Sequence, residues 1–357
     1  MSTLWLDRET WCELDLKVVG TYNYAAEAED LMISYALDDG DAKAWDCTCE
    51  PAPADLLAAL ADPTVEVWAH NAQFDKAVHR GPAQRELPQV PLERWRCSMA
   101  MALSHALPAS LAELCKVLKV PADIGKLADG KKLVRLFTSP QPANRKVRRA
   151  TKESHPAEWE RFKQYAINDI TAMRECVRRM PNWNWDASAI AEWHLDQRVN
   201  ERGFQVDTEL TTAGAKAAIV EKARIAVRFA ELSGGAFRPS QRELFKAYLS
   251  ERLGYPIENT QSGLFQVLLR EPTVPADVRE MMELSIASNK TSTAKYAALD
   301  PAIGADGRFR GGLQCAGAGR TRRVAHAAPA DSRTRGQTQC RASRTRQRRQ
   351  AVARRHP

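Results

Sequence analysis

The apolar pattern of this chain changes period part-way along, and that change limits the fold more than any single residue does. Up to about residue 185, short apolar runs bounded by turn residues alternate with short helical stretches. Leu4-Trp5-Leu6 is a strand-like run ending in Asp7-Arg8-Glu9-Thr10. Residues 31–37 and 42–45 flank Asp38-Asp39-Gly40-Asp41 and predict a hairpin. Residues 65–69 predict another strand, followed by a helix carrying Phe74, Asp75 and Val78. Short helices are predicted over 55–60, 98–105 and 111–118, the last opened by a Ser110-x-x-Glu113 capping box. Trp159, Phe162, Ala166, Ile170 and Met173 lie on one stripe of a helix over 159–177. From Ala187 the spacing is helical, over 190–202, 209–232, 240–252, 262–270 and 276–288. Strands mixed with helices, then helices alone, predict an α/β domain over 1–185 followed by a mostly α-helical domain over 186–321. Within the first, residues 121–156 carry Pro121, Pro140, Pro142 and Pro156 and a basic run from Arg145 to Lys152, which predicts a long basic loop. Trp183 and Trp185 are expected to pack at the domain junction.

A length of 357 residues, 44% apolar, has room for these two cores. No apolar run approaches the roughly 18–20 residues of a membrane span. The opening MSTLWLDRET lacks the features of a signal peptide, so a cytoplasmic location and no membrane partner are expected. The eight cysteines are scattered and are expected to be reduced thiols. The formal net charge of +8 is unevenly spread. Residues 320–357 hold 12 Arg, one Asp and no Lys, a net of +11, which leaves −3 for residues 1–319. That tail has only Val324 and Val352 as sizeable apolar residues, so a disordered tail over 322–357 is expected.

Three acidic patterns follow in chain order: Asp7-x-Glu9 at a strand end, Asn71-x-x-x-Asp75 after a later strand, and Tyr165-x-x-x-Asp169 on a helix. The last spacing places both side chains on one helix face. Each pattern alone is common, and its bland reading is a solvated acid. Together they bring four carboxylates and a phenol into one α/β domain. His70 fits capping or packing better than catalysis.

The order LxxDxET, HNAxFD, YxxxD resembles the DEDD superfamily of 3′→5′ exonucleases, in the subgroup with tyrosine. ELDLKVVGTYNYA, LSHALPASLAELCKVL and WHLDQRVNERGFQVDTE are similar to the phage-like branch of family-A DNA polymerases, polymerase I type. The resemblance covers about residues 3–321. It implies a ribonuclease H-like exonuclease domain, a mixed sheet flanked by helices, then a thumb-like helical domain. It implies two ions, Mg²⁺ or Mn²⁺, with Asp7, Glu9 and Asp169 on the first, Asp7 bridging, and Asp75 supporting the second through water. Tyr165 would orient the attacking water, and Thr10, Asn71 and Phe74 are candidates for holding the terminal nucleotide. Arg145, Lys290 and Lys295 are candidates for contacts to DNA phosphates.

The resemblance stops near LQCAGAGRT at residues 313–321, where Arg322-Arg323-Val324 follows and the composition turns to Arg, Ala, Ser, Thr and Gln. A frameshifted, truncated polymerase without palm or fingers is the expectation, with a selected basic arm as the competing origin of the tail. The expected activity is removal of 5′-mononucleotides from single-stranded or frayed DNA 3′ ends by a monomer, without primer extension. The alternatives are a non-catalytic DNA-binding remnant and an RNA exonuclease of the ribonuclease D kind.

Overall fold

The computed structural model describes residues 2–82, 86–121, 130–142, 144, 148–318 and 323–326. They form two compact units: residues up to Gln205 together with those from Ala302 onward, and Val206–Pro301.

The first unit is built on a five-stranded mixed sheet. Its strands are β1 (Thr3–Trp11), β2 (Glu29–Leu37), β3 (Lys43–Asp46), β4 (Glu66–Ala69) and β5 (Trp95–Cys97), in the order β3-β2-β1-β4-β5. The first three are antiparallel neighbours, whereas β4 and β5 join in parallel. Strand β1 is longer than its apolar run suggests, and the acids lie inside it. Leu4 and Leu6 are fully buried, and the strand carries Arg8 and Thr10 into the interior as well. Such a strand is covered on both faces, which explains why simple alternation is lost. Pairing with β4 extends only from Thr3 to Trp5, whereas pairing with β2 runs from Leu4 to Trp11. The register slips between Glu9 and Thr10, where Glu9 faces Met32 and Thr10 faces Asp30.

The helices of this unit are α1 (Leu16–Glu27), α2 (Ala54–Ala61), α3 (Ala72–His79), α4 (Ser98–Ser104), α5 (Leu111–Val117), α6 (Gly130–Thr138), α7 (Pro156–Arg179) and α8 (Ala187–Arg202). Two were not predicted. Gly20 at φ 75° kinks α1, which hides its period. The other, α6, falls within the stretch 121–156 expected to be a loop, and it buries Leu133 and Phe137. Ser110 stands at the N-cap of α5, but its side chain makes no capping hydrogen bond. Aspartate caps do form elsewhere: Asp186 accepts from Ala189 N at the start of α8, at 2.9 Å.

The compact division falls twenty residues later than the expected boundary at 185/186, because α8 packs with the first unit. Trp193 belongs to the same core as Leu4, Val67 and Trp95. His194 Nε2 lies 3.1 Å from the Trp95 carbonyl, and Asn200 donates to the Leu313 carbonyl at 3.1 Å. Trp185 is buried, but Trp183 is 70% exposed, contrary to its expected packing role; its ring lies 5.1 Å from that of His105, at a near-perpendicular angle. Short strands β6 (Phe204–Gln205) and β7 (Arg308–Phe309) pair, as do β8 (Leu313–Ala318) and β9 (Arg323–His326). Of the tail expected to be disordered, residues 323–326 therefore form a strand, paired antiparallel with β8. The rest of it lies outside the described residues. The seven described cysteines are free thiols.

The second unit comprises α9 (Thr208–Leu232), α10 (Arg242–Leu253), α11 (Ser262–Leu268), α12 (Ala276–Ser288) and α13 (Ala294–Leu299). Asp207 caps α9 by accepting from Leu210 N at 2.9 Å. Phe229, Phe237, Phe245 and Phe265 form an aromatic core with Val278, Met281 and Met282. Among the described residues no helix is long and apolar enough to cross a membrane.

Candidate active site

Two elements bring three carboxylates together. Asp7 and Glu9 are two residues apart on β1 and so share a face. Asp169 comes from α7. Their carboxylate oxygens lie within 4.8 Å of one another. Asp169 is 8% exposed and Glu9 9%. Three carboxylates at that spacing repel one another, and more strongly away from bulk water.

Tyr165 sits one turn before Asp169 on the same face of α7. Its phenol donates a hydrogen bond to Asp169, and its pKa is raised by burial, then by the charges of Asp169, Glu9 and Asp7. The ring is held from two sides. Phe162 stacks on it at 6.5 Å and is itself stacked on Phe137 at 5.2 Å. On another side, a Cβ added to Gly130 would come within 2.3 Å of Tyr165 Cε2. Only glycine lets the start of α6 approach the phenol so closely. Sequence reading missed Gly130, since no local pattern marks a contact between positions 35 residues apart.

Asp75 lies outside that group of three. It is 2% exposed, on α3. Its carboxylate accepts from its own N–H and from the N–H of Arg8, the residue between Asp7 and Glu9. Because β4 no longer pairs with β1 at that height, the β1 edge needs another acceptor, and Asp75 supplies it. Burial pushes the Asp75 carboxyl up to about 7, against the pull of the Arg8 guanidinium. Its Oδ1 has no hydrogen-bond partner among the described residues.

The expected substrate contacts are scattered. Asn71 is exposed at the N-cap of α3, in the left-handed region at φ 69°. Phe74 is half-buried against Tyr24, at 5.8 Å between ring centroids. Thr10 is buried, with its hydroxyl 3.0 Å from that of Tyr24, so it is not an exposed nucleotide contact. His70 is tied to Ser98 Oγ at 2.9 Å and the Ala109 carbonyl at 2.8 Å, a packing role. Lys290 and Lys295 are exposed in the second unit, where Lys290 and Arg242 line a cavity of about 540 Å³. Arg145 lies outside the described residues.

No protein-family profile matches the sequence. Over 331 residues, 91% of its length, the chain is 32% identical to a protein named DNA polymerase from Bacillus phage SP02. The chain is a homologue of that DNA polymerase. It spans 50% of the phage protein's length. Among solved structures, the polymerase domain of Pol1 from M. smegmatis, in complex with DNA primer-template and dNTP, is similar over 92% of this chain and 51% of that one. The TM-score is 0.58 at 14% identity, a likeness of fold alone. Escherichia coli RNase D aligns over 84% of this polymerase homologue and 68% of its own chain at 13% identity, but a TM-score of 0.36 is too slight to carry an argument.

Proposed function

We propose that the first unit is a metal-dependent 3′→5′ exonuclease that releases 5′-mononucleotides from DNA 3′ ends, preferring single-stranded or frayed ends. The observation that carries this reading is the convergence of Asp7, Glu9 and Asp169 beside Tyr165. The donor set fits a hard divalent cation: it is all oxygen, and the mutual repulsion of the three acids is what such an ion would offset. Asp7, Glu9 and Asp169 would hold one ion, with Asp75 supporting a second. Mg²⁺ or Mn²⁺ bound there would activate water and neutralise developing phosphate charge.

The protein's own groups have separable tasks. Tyr165, held protonated by burial and then by its acidic surroundings, can orient a water through its hydroxyl but cannot take a proton from it. The Phe162 and Gly130 contacts fix the direction of that hydroxyl. Exposed Asn71 and half-buried Phe74, at the start of the helix that also carries Asp75, would meet the terminal nucleotide. The exposed Lys290 and Lys295 would contact backbone phosphates. DNA is favoured over RNA as substrate because the relative is named a DNA polymerase.

The test uses 5′-labelled single-stranded DNA and RNA, with Mg²⁺ or with EDTA, beside a D7A/E9A variant. A ladder shortening from the 3′ end, dependent on metal and absent in the variant, is expected on DNA. Undegraded DNA that is nonetheless bound would leave a non-catalytic binding protein. Faster shortening of RNA would move the reading to an RNA exonuclease.

A further inference from the structure

Behind the acids of β1 lies a second set of charges that the proposed chemistry does not use. Arg8 points to the opposite face of the strand from Asp7 and Glu9, with a fully buried side chain. Its Nη1 forms an ion pair with Asp30 Oδ2, and the Asp30 side chain is 3% exposed. Its Nη2 lies 2.6 Å from His79 Nδ1, and His79 Nε2 lies 2.9 Å from the Pro88 carbonyl. Because a carbonyl only accepts, Nε2 carries the proton and Nδ1 accepts from Arg8. Burial, then the Arg8 charge, pulls His79 down to about 3, consistent with a neutral ring. The backbone N–H of Arg8 meets Asp75. Thus one residue, placed between two of the clustered acids, is fastened to β2, to α3 at both Asp75 and His79, and to the segment at Pro88.

The network is not fully satisfied. Arg8 Nε, Asp30 Oδ1 and Asp75 Oδ1 are all buried without hydrogen-bond partners among the described residues. Such atoms are uncommon in native proteins and call for a reason. An apolar core at these positions would be easier to satisfy.

We propose that Arg8 is a positioning residue of the exonuclease site: clamped between Asp30 and His79, it fixes the β1 backbone between Asp7 and Glu9 and holds Asp75 against it. The inference rests on the exonuclease reading, since it concerns the spacing of the carboxylates that would hold metal.

The experiment compares wild type, R8M and the double variant R8M/D30N, which removes the pair without leaving Asp30 charged and alone. Mn²⁺ binding to the free protein is measured by electron paramagnetic resonance, single-stranded DNA degradation by steady-state kinetics, and folding by thermal melting. Both variants are expected to bind Mn²⁺ about tenfold or more weakly. Their kcat should fall by at least as much, while KM for the oligonucleotide stays within about twofold and the melt stays cooperative. Wild-type Mn²⁺ affinity in a folded R8M or R8M/D30N would overturn the positioning role. So would failure of both variants to fold, which would make Arg8 a stability residue. A wild-type protein that neither binds Mn²⁺ nor shortens DNA would instead overturn the exonuclease reading itself.

Discussion

Replacing Asp75 with asparagine should make the first unit more stable and less active, and the pH dependence of the gain is the decisive part. In the folded protein burial raises the Asp75 carboxyl from 3.8 to about 7. In the unfolded chain it returns to its ordinary value. Between those two pH values the native state holds a proton that the unfolded state has released. Stability therefore falls as pH rises through this window, by about 1.4 kcal/mol per unit, and levels off above it. The full interval corresponds to ~4 kcal/mol, and ~2 kcal/mol is the smaller figure if the native site relaxes around the charge. Asparagine keeps the shape and an acceptor for the Arg8 N–H but carries no charge. The gain of D75N over wild type should thus be small near pH 4, grow up to pH 7, and stay constant beyond. In thermal melts with EDTA, the plateau should be a rise in Tm of roughly 5–10 °C for a unit of this size. Asp30, pushed up to about 6 by burial, titrates in both proteins, and its charge adds to the burial that raises Asp75. Exonuclease activity should fall by about tenfold or more, the usual exchange when a strained functional group is removed. A D75N protein that melts below wild type at pH 8, or a gain independent of pH from 5 to 8, would refute the argument that this carboxylate is held at the expense of stability.

Three further outcomes follow from named contacts. G130A should displace the Tyr165 ring, because the new Cβ meets it at 2.3 Å, and lower kcat by about tenfold or more with a stability loss of about 1–3 kcal/mol; steady-state kinetics beside a chemical melt would check both. Y165F should lower kcat without altering the pH–rate profile between pH 6 and 9, because the phenol's raised pKa keeps it protonated throughout that range; loss of an ionisation from the profile would contradict this. F245A removes a fully buried ring from the second unit's core and should cost about 3–5 kcal/mol there; hydrogen exchange should speed in α9, α10 and α12 and leave β1 and α7 protected.

What the sequence made legible follows from the range of the interactions involved. The pairings Asp7 with Glu9 and Tyr165 with Asp169 depend on spacings of two and four residues, which strand and helix geometry turn directly into shared faces. Four of the second unit's five helices were likewise readable, because their apolar faces repeat locally; α12 spans 276–288 as its period predicts, whereas the six-residue α13 was not predicted. The surroundings of the acids were not readable by the same means. Arg8 looks from its neighbours like a solvated strand-end charge, yet it is buried by Asp30, His79 and Asp75, which lie 22, 71 and 67 residues away. The Gly130–Tyr165 approach and the slip of register at Glu9 and Thr10 depend equally on distant pairing. Asp75 shows what this difference means for function. Its place in the HNAxFD pattern suggests a ligand like the other acids, while its buried bond to the Arg8 backbone makes it part of the frame around them. The two roles are compatible only if the frame can release one carboxylate oxygen. Oδ1, which has no partner among the described residues, is the atom left to do so.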